Sequence, residues 1–159
     1  MSQSPQYVTL GIAGDLPALP VDRVREILSA QPMARVPGAP SRFLGMIDVR
    51  AQGVPVLDLR LTIGLAPTED DEDTRIVVVN ATMTGAEMAV GLKVDRVFEV
   101  TALDADALDP APEAAVGWRA ELIAGIGRRN GRFVTVLDFG RLFSTDELKA
   151  RAFADALAQ

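Results

Sequence analysis

The chain contains neither cysteine nor histidine. Disulfides, thiol nucleophiles and soft metal ligands are excluded, and so is the one side chain that ordinarily titrates near neutrality. Aromatic residues are scarce, at 5% of 159, and Trp118 and Phe133 are too scattered to form a base-stacking platform. A formal net charge of −6 has the wrong sign for nonspecific binding to nucleic acid or to an anionic lipid surface. Lysine is almost absent, occurring only as Lys93 and Lys149, so arginine carries the basic charge. Its planar fork suits protein interfaces, and a bias in base composition would give the same usage. No run of about 20 apolar residues and no basic, apolar leader is present, which predicts a cytoplasmic chain without membrane insertion or a secretory signal. What is present, 48% hydrophobic and 24% charged residues, suits one domain with a sizeable core.

Along the chain, Val8, Leu10 and Ile12 alternate with small residues, then Gly14-Asp15 and the apolar Leu16 to Val21 follow, predicting strand, turn and strand. After the break at Pro37-Gly38-Ala39-Pro40, Phe43 to Val49 and Val54 to Leu59 predict a hairpin, with Pro55 marking an edge strand or a bulge. The acidic run Glu69 to Asp73 reads as a solvated linker over 66–74. Beyond it come the β-branched run Ile76 to Val79, the strand-rich Ala89 to Val100, and a hairpin centred on Asn130-Gly131. Ser144-Thr145-Asp146-Glu147 has capping-box spacing and predicts a C-terminal helix over 144–157.

An internal repeat organises these pieces. Val21-Asp22-Arg23-Val24-Arg25-Glu26-Ile27 recurs as Val94-Asp95-Arg96-Val97-Phe98-Glu99-Val100. Gly45 and Val54-Pro55-Val56-Leu57-Asp58-Leu59 recur, without a gap, as Gly125 and Val134-Thr135-Val136-Leu137-Asp138-Phe139. The first copy spans about 7–65 and the second about 75–143. Helix after Pro20 is one reading of the first V-D-R-V block, but the β-branched second copy favours a brief turn followed by extended chain. The expected fold is mainly β, two small five-stranded Src-homology-3-like barrels packed side by side, one per copy, with a C-terminal helix.

No Walker loop occurs, and Gly125-Ile126-Gly127-Arg128-Arg129-Asn130-Gly131 is one residue too long for a dinucleotide fingerprint and opens a hairpin. Glu69 to Asp73 lacks the alternate spacing and glycine of a calcium loop. Asp58 and Asp138 occupy equivalent places and read as caps of the turns after their strands rather than as an acid–base pair. No catalytic, cofactor-binding or metal-binding residue is therefore assigned. Gly45, Gly125 and Gly131 read as structural turn glycines, and a protein-docking surface remains as the function.

Leu19 to Ile27, Val36-Pro37-Gly38-Ala39-Pro40, Gly45 to Arg50, Val54 to Arg60, Val90 to Val97 and Pro110-Ala111-Pro112 together resemble the CheW-like domain, over about 7–148. The resemblance implies a non-catalytic chemotaxis adaptor joining the cytoplasmic tips of methyl-accepting chemoreceptors to the regulatory domain of the histidine kinase CheA, within receptor arrays. It further implies that Val24, Glu26 and Arg50 face the receptor, Arg50 standing at the arginine of the family's N-L-R-G motif. Here that motif reads Asp48-Val49-Arg50-Ala51, which adds a negative charge and replaces the glycine. A divergent adaptor for another sensory system, or a competitive inhibitor of array assembly, is the alternative. Glu26 pairing with an arginine of its own surface, and Arg50 only solvating a hairpin, are the plainer readings of those residues.

Overall fold

The computed structural model describes residues 4–83, 86–111 and 120–144. Among the described residues ten strands and two short α-helices run β1 (Gln6–Gly11), β2 (Pro17–Pro20), β3 (Val24–Ser29), β4 (Phe43–Val49), β5 (Gln52–Asp58), α1 (Leu59–Thr62), β6 (Arg75–Met83), β7 (Ala86–Val94), β8 (Arg96–Ala102), β9 (Ile123–Arg129), β10 (Arg132–Leu137) and α2 (Phe139–Ser144). They form two five-stranded sheets, each curled into a small barrel, ordered β8-β1-β2-β10-β9 and β3-β6-β7-β5-β4. The first is the terminal barrel and the second the central barrel.

Each barrel draws on both copies of the repeat, which corrects the expectation of one barrel per copy. Hairpin β1–β2 is equivalent to β6–β7, β3 to β8, and β4–β5–α1 to β9–β10–α2, and the two hairpins have changed places. The equivalence holds residue by residue. Val24 pairs with Val79 and Val97 with Leu10, Val56 with Gly91 and Val136 with Ala18. The bulges correspond as well, at Arg25 and Phe98 in the third strands and at Leu44 and Ala124 in the fourth.

The exchange takes place at the V-D-R-V blocks. A 3-10 turn at Val21–Arg23 separates β2 from β3, and Asp95 alone separates β7 from β8. At both, the third strand continues into the other barrel, β3 to pair with β6 and β8 to pair with β1. These are the two places where the chain crosses between barrels.

Three apolar cores result. Ile47, Val54, Val56, Ile76, Val78 and Ala89 fill the central barrel, and Leu16, Ala18, Leu103, Val134 and Val136 fill the terminal one. The third lies between them and takes Val8, Leu10, Ile12 and Leu19 from one hairpin and Val77, Val79, Val90, Leu92 and Val94 from the other. This arrangement explains why Ile76 to Val79 is continuously apolar: alternate side chains enter the barrel core and the seam. An apolar seam of this kind holds the two barrels as one body.

The β4–β5 and β9–β10 hairpins turn on positive φ, at Arg50 (52°) and Ala51 (66°) and at Asn130 (52°) and Gly131 (80°). Gly131 occupies the β9–β10 turn. Gly45 and Gly125 are not turn glycines: they lie inside β4 and β9. A Cβ at Gly45 would stand 2.6 Å from the Ala34 carbonyl oxygen, and one at Gly125 would stand 2.7 Å from the Leu108 Cβ. Both admit a crossing segment, bridged at Ala34↔Met46 and Asp109↔Ile126.

Pro55 also differs from expectation, since β5 is an interior strand. Its segment paired with β7 begins only at Val56, so the missing Pro55 amide costs that ladder nothing. Asp58 and Asp138 cap the helices that follow, accepting from the amides of Arg60 (2.9 Å) and Arg141 (3.2 Å). The helix expected over 144–157 lies, apart from Ser144, outside the described residues, whereas α2 begins earlier, at Phe139.

Candidate functional site

Glu26 sits on β3, at one end of the central sheet, and Arg50 in the β4–β5 turn, at the other end. The guanidinium closes that gap with two bonds to the carboxylate, Nη1 to Oε2 at 2.7 Å and Nη2 to Oε1 at 3.2 Å. Arg50 remains 76% exposed and Glu26 only 19%. The fork geometry makes the pair directional, while solvent around Arg50 keeps its contribution to stability below about 1 kcal/mol. A small cavity of about 50 Å³ lies beside the pair, lined by Arg25, Val49, Gln52 and Val54. Val24 is half-buried and packs against the seam core. The structure thus brings Glu26 and Arg50 into direct contact and turns Val24 toward the seam core. Asp48 is exposed and, among the described residues, Arg50 pairs with Glu26 and not with it.

The terminal barrel repeats the corner with altered chemistry. Glu99, equivalent to Glu26, pairs with Arg129 of the β9–β10 hairpin at 3.2 Å. Around these corners the third strands expose apolar side chains, Ile27 (41%) on β3 and Phe98 (47%) and Val100 (54%) on β8, with Phe133 (64%) on β10. Arg96 stacks over Phe98 at 4.8 Å and Arg128 over Phe133 at 4.9 Å. The sequence marks Phe133 only as unsuited to base stacking and Ile27, Phe98 and Val100 only as members of the repeat, without showing that they are exposed. On β8 Thr101 is buried, while Phe98, Glu99 and Val100 are all exposed.

A second polar cluster holds the β7–β8 crossing. Asp95 accepts from Arg60 Nε at 2.8 Å, from Arg60 Nη2, and from the Ala13 amide at 2.9 Å. It therefore ties α1 of the central barrel to the β1–β2 turn of the terminal one. The Arg60 hydrogen bond holds the Asp95 carboxyl below its ordinary range. Nearby, Asp58 is buried, its Oδ2 without a hydrogen-bond partner, and burial pushes its pKa up against the pull of Lys93 and the α1 amides. Lys93 in turn bonds Asp70 of the acidic linker at 2.7 Å.

Among the described residues no helix is long and apolar enough to cross a membrane, and no cluster of acidic side chains has metal-holding geometry. The duplicated five-stranded barrels match a known structure, scaffolding protein TtCheW from Thermoanaerobacter tengcongensis, with a TM-score of 0.76 over 90% of each chain at 24% identity. A family model for the CheW-like domain matches residues 6–147. The chain belongs to the CheW-like domain family.

The chemotaxis protein CheW of Klebsiella aerogenes is 31% identical over 126 residues, covering 79% of this chain and 74% of the relative. That of Helicobacter pylori is 30% identical over 141 residues, covering 89% and 82%. Membership makes this CheW-like chain a non-catalytic chemotaxis adaptor. Its polar clusters accordingly read as docking and structural devices.

Proposed function

We propose that the chain couples the cytoplasmic tips of methyl-accepting chemoreceptors to the regulatory domain of CheA, and that Val24, Glu26 and Arg50 belong to the receptor-facing surface. The observation that carries this reading is the exposed Arg50 guanidinium, aimed by Glu26 at the open corner between β3 and the β4–β5 turn. An oriented, solvent-facing arginine beside outward apolar side chains is the composition of a protein interface centre. Bond chemistry has no place in such a mechanism; the signal passes through altered docking.

The test is reconstitution of receptor fragments, CheA and this chain, with receptor capture and kinase activity scored together. Arg50→Glu is expected to weaken receptor capture at least tenfold while moving the melting temperature by less than about 2 °C, since exposed pairs contribute little to stability. Undiminished capture would refute the placement of Arg50, and a large fall in melting temperature would make it structural. A second reading, an adaptor that occupies the array without activating the kinase, is favoured by Asp48 and Ala51 in the altered motif. Capture without kinase activation would select it.

A further inference from the structure

The β9–β10 turn carries a chemically labile pair, Asn130 followed by Gly131. In such a pair the glycine amide nitrogen attacks the asparagine carboxamide carbon, a succinimide ring closes, and ammonia leaves. Water then opens the ring at either carbonyl, giving aspartate or isoaspartate. Glycine in second place favours the step because no side chain screens its nitrogen. Asn130 and Gly131 are both exposed, and the turn of the other copy has Arg50 and Ala51 there, with no carboxamide to react. Asn80, the only other asparagine, precedes Ala81 within β6.

The nucleophile of that step is held by a side chain from another segment. Asp104, in the connection between β8 and β9, accepts from the Gly131 amide through Oδ2 at 3.1 Å and from the Asn130 amide through Oδ1 at 3.0 Å. Its own amide donates to the Arg128 carbonyl at 2.7 Å, and the preceding Leu103 is buried in the terminal core, so the carboxylate has a fixed seat. The two amides hold the Asp104 carboxyl below its ordinary range, which makes it a poor proton acceptor. A carboxylate in that place opposes ring closure twice. It disfavours loss of the Gly131 proton, since the nitrogen anion would face a negative charge. It also fixes both amides in the left-handed turn, at φ of 52° and 80°, so that swinging the nitrogen onto the carboxamide breaks charge-assisted bonds.

We propose that Asn130-Gly131 is a site of spontaneous deamidation that Asp104 holds shut. When the carboxylate is withdrawn, Asn130 converts to aspartate and isoaspartate, with water consumed and ammonia released. Either product adds a carboxylate beside Asp104, and isoaspartate also lengthens the main chain of a two-residue turn. That turn joins Arg129, the partner of Glu99, to the paired Arg128 and Phe133, so conversion alters the outward face of the terminal barrel. Neither receptor nor kinase enters this chemistry, so it stands or falls separately from the coupling reading.

The full chain is incubated at neutral pH, native and in urea, and conversion of Asn130 is followed by peptide mapping with mass spectrometry and by isoaspartyl methyltransferase labelling. Native wild type is expected to convert at least about tenfold more slowly than the urea-unfolded chain. Asp104→Ala should convert at least about tenfold faster than native wild type, the effect of losing a charge-assisted hydrogen bond. Gly45→Ala, weakened in the other barrel, controls for lost stability and should convert at the wild-type rate. In Asn130→Asp, which reproduces one product, the amides of residues 130 and 131 should exchange hydrogen at least about tenfold faster than in wild type. Native conversion at the unfolded rate, an Asp104→Ala rate equal to or below that of wild type, equal acceleration by Gly45→Ala, or unchanged exchange in Asn130→Asp would each overturn the proposal.

Discussion

Replacing Ala51 by glycine should stabilise the protein, although glycine substitutions usually weaken helices and strands. Ala51 holds φ at 66°, a conformation in which the Cβ crowds the following carbonyl at a cost of about 1–2 kcal/mol for an L-residue. Glycine removes that cost and adds about 0.4–1 kcal/mol of chain entropy to the unfolded state. The side chain is exposed, so almost no packing is lost. The balance favours Ala51→Gly by about 0.5–1 kcal/mol, or about 1–4 °C in melting temperature for a chain of this size. The equivalent hairpin supplies the reverse experiment. Gly131 has φ of 80° and nothing within 4 Å of a built Cβ, so Gly131→Ala should destabilise by a similar amount through the same strain alone. Calorimetry and urea titration with an unchanged m-value would measure both. A fall in stability for Ala51→Gly, or an indifferent Gly131→Ala, would refute the claim that left-handed backbone sets these two turns.

Gly45→Ala and Gly125→Ala should each lower stability by more than about 1 kcal/mol, because the neighbours at 2.6 and 2.7 Å are the Ala34 carbonyl oxygen and the Leu108 Cβ, which belong to bridged crossing segments and yield poorly; thermal melts in both variants check this. For Asp58, whose folded pKa is raised chiefly by burial, stability is fullest below the unfolded carboxyl pKa near about 3.9 and is lost as pH rises through the folded value. Asp58→Asn keeps an amide-accepting cap and removes the buried charge, so urea titrations should find its stability relative to wild type rising with pH across that window, while Asp58→Ala loses about 1 kcal/mol of capping throughout. Asp95, lowered by Arg60, has the opposite sign: its contribution is present above the unfolded pKa and lost as pH falls through the folded one, so Asp95→Asn should cost stability at pH 7 and cost less as the solution is acidified.

Much of this architecture is written locally in the sequence. Asn130-Gly131 fixes a hairpin by its conformational demands, V-D-R-V announces a short turn between strands, and V-x-V-L-D ends a strand at a capping aspartate. The repeat also carries the topology of the barrel, down to the bulges. It does not say which hairpin joins which third strand, because β1–β2 and β6–β7 present the same alternation to either copy. That choice appears in the structure as a seam core to which both hairpins contribute. At the corner, residue type identified Glu26 and Arg50 one at a time. Their pairing across the open edge of the barrel appears only when the sheet curls, since 24 positions separate them. The exposure of Phe98 and Val100 escaped notice because an apolar strand residue reads as core until the direction of its side chain is known.

Duplication alone gives a molecule two like faces, whereas an adaptor between unlike partners needs faces that differ. The departures from symmetry lie where the side chains meet solvent, and the barrel cores keep the register. Glu26 is paired with a turn arginine, and Glu99 with the residue one place earlier in its own hairpin. The bulged residue of the third strand is a charged Arg25 in the central barrel and an outward Phe98 in the terminal one. One crossing is held by Arg60, whose place in the other copy is taken by Gly140. Each of these is a change of side chain at equivalent positions, the kind of change that alters recognition with little effect on folding. The seam then becomes the functional element: it holds two differently dressed copies of one barrel in a fixed relation, so that whatever docks at one is rigidly placed with respect to the other.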